Sequence, residues 1–275
     1  MHTKEETLAE VGRLLDVQRR LRKECPWDRK QTYESLRPNT IEEAYELCDA
    51  LLKGDGKEIR KELGDVMEHV MFYSILGEED GSFDLADVCG GEADKLMFRH
   101  PFIDWTGWKR TDGTDAGKPL DTDPGTADGV EQTWEQIKTR EKDGNESVLS
   151  GVPASLPSVV KAYRIQDKAR NVGFDWREKE GVWDKVREEL AEVEAELAKG
   201  SKDDMENELG DLLFSVINAA RLYGINPENA LEKANQKFIR RFNYVEERSI
   251  KAGRPLTGMT EEEMDTLWRE AKENT

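Results

Sequence analysis

The chain has 275 residues, of which 36% are hydrophobic and 36% charged, and its 41 basic and 59 acidic side chains leave a net charge of −18. Such a field repels a nucleic-acid backbone, which argues against duplex binding, and no apolar run approaches the length of a membrane span. A small phosphorylated ligand stays open, because a bound divalent cation and a few local lysines or arginines invert the field.

Taken in chain order, Lys4 to Lys23 carries Leu8, Val11, Leu14, Leu15, Gln18 and Leu21 at helical period, and Cys25-Pro26-Trp27-Asp28 breaks it. From about Thr40 to Leu76 the pattern predicts two antiparallel helices joined at Gly54-Asp55-Gly56. Phe83 to Phe98 reads as a further helix with Asp84 or Asp87 near its start. Asp104 to Gly129 is rich in Gly, Asp, Thr and Pro and reads as a flexible linker. A short helix is expected around Val130 to Lys142, then a loop to Pro157, a helix from Ser158 to Asn171, and a second hairpin from about Gly181 to Tyr223. Strand signals are nearly absent. The expected fold is all-α, a tandem repeat with bundle-type cores, divided as 1–103, a linker at 104–129, and 130–275. Cys25, Cys48 and Cys89 have no C-x-x-C spacing, and Met1 to Glu10 holds no apolar signal core, so a reducing, cytoplasmic setting is expected.

The most informative feature is a repeat of acids. Glu43, Glu46, Glu62 and Asp65 recur as Glu189, Glu192, Glu208 and Asp211, each shifted by 146 positions, and Glu42, Lys53, Gly54, Leu63 and Gly64 recur with them. Residues three apart share a helix face, so each hairpin sets two acid pairs against each other. Without a cation they repel; with one they form an all-oxygen site suited to Mg²⁺ or Mn²⁺ rather than zinc. The competing reading is a solvated acidic face with a capping box at Thr40-Ile41-Glu42-Glu43. Carboxylates without a histidine ligand point to phosphoryl chemistry, which needs further cations. Lys185 lies four residues before Glu189, and Lys237, Arg240 and Arg241 follow on the last core helix, as Lys95 and Arg99 do in the first half.

Together, Cys25-Pro26-Trp27-Asp28-Arg29-Lys30-Gln31-Thr32, Glu42-Glu43-Ala44-Tyr45-Glu46, Glu62-Leu63-Gly64-Asp65 and Arg99-His100-Pro101 resemble the MazG family of nucleoside triphosphate pyrophosphohydrolases. Val172-Gly173-Phe174-Asp175-Trp176, Glu188-Glu189, Glu208-Leu209-Gly210-Asp211 and Asn235-Gln236-Lys237-Phe238 extend the resemblance to the second half. It implies a homodimer and Mg²⁺-dependent hydrolysis of NTP or dNTP to the monophosphate and pyrophosphate, by water attack at the α-phosphorus. By position, Glu189, Glu192, Glu208 and Asp211 hold metal, as do Glu43, Glu46, Glu62 and Asp65. Lys185, Asn235, Lys237, Arg240 and Arg241 hold the triphosphate, Trp176 or Phe174 stacks on the base, and Glu188 positions the water.

The chain departs from the family pattern at Tyr33, His69 and Phe98. Asn39 stands where Lys185 stands, and Phe98 stands opposite Arg240, so the first half is short of triphosphate contacts and the second is expected to be the principal site. Narrower enzymes acting on dUTP or phosphoribosyl-ATP, and a helical module that binds metal and nucleotide without turnover, are the alternatives.

Overall fold

The computed structural model describes residues 1–118, 125–126, 129–130, 133, 137, 147–176, 179, 181–251 and 253–274. The described residues form helices and turns without a named strand, and the chain divides into two compact units, Met1–Asp123 and Pro124–Thr275. The helix expected around Val130 to Lys142 falls largely outside the described residues.

In the first unit α1 (Lys4–Glu24) starts at a Thr3–Glu6 capping box and ends at Cys25, ahead of Pro26. Arg22, near its end, pairs with Glu79 at 2.7 Å and donates to the carbonyls of Asp28 and Gln31. One guanidinium thereby fastens the 3-10 turn Asp28–Lys30 to two helices.

α2 (Tyr33–Lys53) begins seven residues earlier than the apolar rhythm suggests. Its cap is Thr32, in a reciprocal pair with Ser35, and Pro38 lies inside the helix. Proline there forfeits one backbone hydrogen bond, and the flanking turns tolerate it because it falls near the helix start. Thr40 is therefore no cap. Its hydroxyl lies mid-helix against the Leu36 carbonyl, His69 Nδ1 at 2.8 Å and the Tyr73 hydroxyl. The capping-box reading at Thr40 is corrected accordingly.

α3 (Gly56–Asp80) runs back along α2 after Gly54, whose φ of 69° is left-handed and suits glycine. Leu36, Phe72 and Leu76 close the core between them, with Tyr73 against it. Each such burial is worth about 1.5–3 kcal/mol. Gly77 lets the chain fold back, because a Cβ there would sit 2.7 Å from the Phe83 carbonyl oxygen. α4 (Leu85–Arg99) then starts at an Asp84–Asp87 capping box and packs on α3.

The beginning of the expected linker is folded rather than plain tether. Trp105 Nε1 donates to the His100 carbonyl at 3.0 Å, and the Thr111 amide donates to Asp94 on α4 at 3.0 Å.

The second unit replays the plan. α5 (Ser158–Asn171) packs on α7 (Lys202–Leu222) and α8 (Pro227–Lys251), while α6 (Gly181–Lys199) and α7 form the hairpin. Gly200 turns it with φ 78°, and Ser201 caps α7. A further helix, α9 (Glu261–Asn274), goes beyond the sequence reading. It packs on α8 with Ala271 fully buried and the Trp268 ring 5.3 Å from Phe238. None of the described helices is long and apolar enough to cross a membrane.

Candidate active site

Each hairpin gathers three of its four acids. Glu43, Glu62 and Asp65 present carboxylate oxygens within 4.8 Å of one another, and so do Glu189, Glu208 and Asp211. The cause is local: one residue comes from the first helix of the hairpin and an i,i+3 pair comes from the second. Glu62 and Glu189 are buried, at 4% and 6% exposure. Glu46 and Glu192 are drawn in less tightly, yet both belong to the same electrostatic group. Partial desolvation, then Glu46 and Asp65, hold the Glu43 carboxyl above its ordinary range. Partial desolvation, then Glu189, do the same to Glu192.

Each cluster crowds more carboxylates together than its local cations balance. Glu62 Oε2 is buried with no hydrogen-bond partner. An all-carboxylate oxygen set with an orphaned buried ligand atom fits a hard divalent cation such as Mg²⁺ or Mn²⁺.

A lysine leans on each cluster, from opposite helices. Lys185 on α6 reaches Glu189 at 2.6 Å and Glu188 at 2.8 Å, and these hydrogen bonds hold its ammonium well above the usual lysine range. In the first half Asn39 takes that position, and Lys61 on α3 serves instead, at 2.9 Å from Glu62, 3.7 Å from Asp65 and 4.0 Å from Glu46. Its counterpart in the second half is Asn207. Sequence reasoning missed Lys61. The available signal was its place four residues before Asp65, on the face the acids use.

Glu188 is exposed and tied to Lys185. On α8, Lys237 and Arg240 are exposed, and Asn235 donates to Glu232 one turn away at 3.1 Å. The described contacts do not join Lys237, Arg240 or Asn235 to the acids. His69 is buried, and its Nδ1 is bound to the Thr40 hydroxyl within the first hairpin's own packing. Phe174 and Trp176 are 83% and 45% exposed, so neither is a buried core residue.

Residues 31–103 and 177–246 both match the MazG nucleotide pyrophosphohydrolase domain. The chain is 40% identical over 270 residues to a nucleoside triphosphate pyrophosphohydrolase of Escherichia coli (strain K12), covering 96% of this chain and 97% of that one. It is 39% identical over 251 residues to the nucleoside triphosphate pyrophosphohydrolase/pyrophosphatase MazG of Thermotoga maritima, covering 90% and 89%. A Bacillus subtilis protein, YabN, is 40% identical over 251 residues, which cover 90% of this chain and 48% of YabN.

Proposed function

The chain belongs to the MazG nucleotide pyrophosphohydrolase family and is an enzyme of that class, and we propose that its turnover is carried by the second acidic hairpin. Nucleoside triphosphate is hydrolysed to nucleoside monophosphate and pyrophosphate: water forms a bond to the α-phosphorus, and the bond to the pyrophosphate oxygen breaks. The observation that carries the assignment of the site is the meeting of Glu189, Glu208 and Asp211 with Lys185 on one hairpin.

Glu189, Glu208 and Asp211, with Glu192 beside them, would hold Mg²⁺ or Mn²⁺. Such an ion neutralises charge on phosphate oxygens and lowers the pKa of a bound water. Lys185 is placed to pass from Glu189 to a phosphate oxygen when substrate enters. Lys237, Arg240, Arg241 and Asn235 on α8 supply the remaining contacts once a triphosphate bridges the two helices. Glu188, held next to the metal ligands by Lys185, orients the attacking water. Trp176 offers a face to the base. In the first half the equivalent acids would bind a cation, but Asn39 and Phe98 stand where the second half has Lys185 and Arg240.

A panel of NTPs and dNTPs with Mg²⁺, scored for pyrophosphate against orthophosphate, tests the reading. Pyrophosphate is expected as the first product, with activity abolished by excess chelator and restored by Mg²⁺ or Mn²⁺. Orthophosphate as the first product, or binding without turnover, overturns it. Strong preference for dUTP or phosphoribosyl-ATP in the same panel would narrow the enzyme class.

Both hairpins leave the same apolar stripe exposed: Leu63, Met67 and Val70 on α3, and Leu209, Leu213 and Val216 on α7, at identical positions of the repeat. An apolar stripe repeated in register supports pairing of hairpins in a homodimer. Light scattering at twice the chain mass is expected; a monomer at micromolar concentration would contradict it. A cytoplasmic location follows from the nucleotide substrate and the unpaired cysteine pattern.

A further inference from the structure

The two acidic hairpins differ in where their lysine stands. At the repeat shift of 146 the four acids coincide, but Lys61 corresponds to Asn207, and Asn39 corresponds to Lys185. Lys61 lies on α3, the helix that carries Glu62 and Asp65. Its ammonium is 2.9 Å from Glu62, 3.7 Å from Asp65 and, across the hairpin, 4.0 Å from Glu46 on α2. All three are members of the acidic quartet, and Glu62 and Asp65 are two of the three whose oxygens converge. Lys61 therefore stands among the acids themselves, as a bound cation would.

Lys185 stands at the edge of its cluster. It is bonded to one member of its quartet, Glu189, at 2.6 Å, and its other bond goes to Glu188, outside the quartet. It can let go of Glu189 and remain paired. Lys61 has no such second home: its described ion pairs are with Glu46, Glu62 and Asp65. A further lysine is matched between the halves and does not separate them. Lys53 and Lys199 are equivalent positions, and each pairs with an acid outside the quartet, Asp49 and Glu196 respectively.

An ammonium and a divalent ion compete for such a place. Carboxylate oxygens bind Mg²⁺ at about 2.1 Å. An ion on Glu62 and Asp65 would stand a few ångströms from Lys61, and two positive charges at that range repel. Two observations keep the competition open. Glu62 Oε2 is buried with no hydrogen-bond partner, so an acceptor remains for an incoming ion. The Lys61 side chain is 61% exposed, so it can swing into water when displaced. The first site is thereby weakened and not closed.

We infer that Lys61 is a built-in rival of the divalent ion in the first hairpin, so that the two hairpins of one chain fill with metal in sequence, the second at the lower concentration. The inference rests on the acidic hairpins being cation sites. Between the two thresholds the second hairpin carries its ion while the first is bridged by its own ammonium.

The test is a Mn²⁺ titration of the full chain without nucleotide, followed by electron paramagnetic resonance. Wild type should show two classes of bound ion, with Glu208→Gln removing the tighter class and Glu62→Gln the weaker. Lys61→Asn installs the second half's residue and should tighten the weaker class about tenfold, the scale of one like charge removed from beside a divalent ion. Asn207→Lys is the reciprocal change and should weaken the tighter class by a similar factor. Lys61→Arg keeps the charge and should leave both classes near wild type.

A single class of equal sites in wild type would overturn the inference. So would a weaker class that does not move in Lys61→Asn, or one that tightens as much in Lys61→Arg. A loss of helicity in Lys61→Asn with the Mn²⁺ affinity unmoved would make Lys61 a structural cross-link and would overturn it equally. In these cases bound Mn²⁺ is still seen, and the hairpins stand as cation sites. Absence of bound Mn²⁺ from wild type and from every variant would sink that reading and the inference together.

Discussion

Glu208→Gln is expected to lower turnover by about a thousandfold while leaving the fold intact. Glu208 is one of the three carboxylates that converge in the second hairpin. The substitution keeps the shape of the side chain and removes its charge. Charge stabilisation by a clamped cation supplies several kcal/mol, and a loss of about 4 kcal/mol is about a thousandfold in rate. Folding should survive, because removing one charge from a mutually repelling group relieves rather than creates strain. Steady-state pyrophosphate release, with circular dichroism as the control, checks both halves of the expectation. Full activity would remove Glu208 from the site, and loss of helicity would show that the carboxylate holds the hairpin together.

The second large effect is on stability. Asp175 pairs with Arg221 through two hydrogen bonds, one at 3.0 Å, and the Arg221 side chain is only 5% exposed. Asp175→Ala strands a guanidinium in a poorly solvated place. Breaking a buried pair from one side costs about 3–5 kcal/mol, whereas replacing both partners with apolar groups is often nearly neutral. The thermal midpoint of the second unit should therefore fall markedly in Asp175→Ala and recover in Asp175→Ala with Arg221→Met. An unchanged midpoint in the single variant would mean that water already solvates Arg221.

The helical plan was legible because the repeat states it twice. Leucines at helical period, glycine turns at Gly54 and Gly200, and the pairing of Glu62 with Asp65 and Glu208 with Asp211 appear in both halves of the chain. The start of α2 was not, because Pro38 and the polar run before it look like a break; the first turns hold through the Thr32–Ser35 cap and the burial of Leu36. α9 lies beyond the repeat, although Met264, Leu267, Trp268 and Ala271 carry a helical rhythm of their own.

Of the site, the convergence of acids could be derived from spacing alone. Lys61 had only its place four residues before Asp65 to mark it, and a single lysine beside a glutamate has many surface explanations.

The central claim is that the two acidic hairpins, alike in their carboxylates, differ in work. In the first, Asn39 and Phe98 stand where the second has Lys185 and Arg240, and the lysine on its acids, Lys61, comes from the other helix of the hairpin. Glu62 and Glu208 are equivalent positions of the repeat, so their Gln variants form a matched pair. The most direct test is pyrophosphate release by Glu62→Gln and Glu208→Gln measured side by side over the same NTPs. The account predicts that Glu62→Gln retains activity within about tenfold of wild type, while Glu208→Gln loses about a thousandfold. Equal losses, or a larger loss from Glu62→Gln, would contradict it.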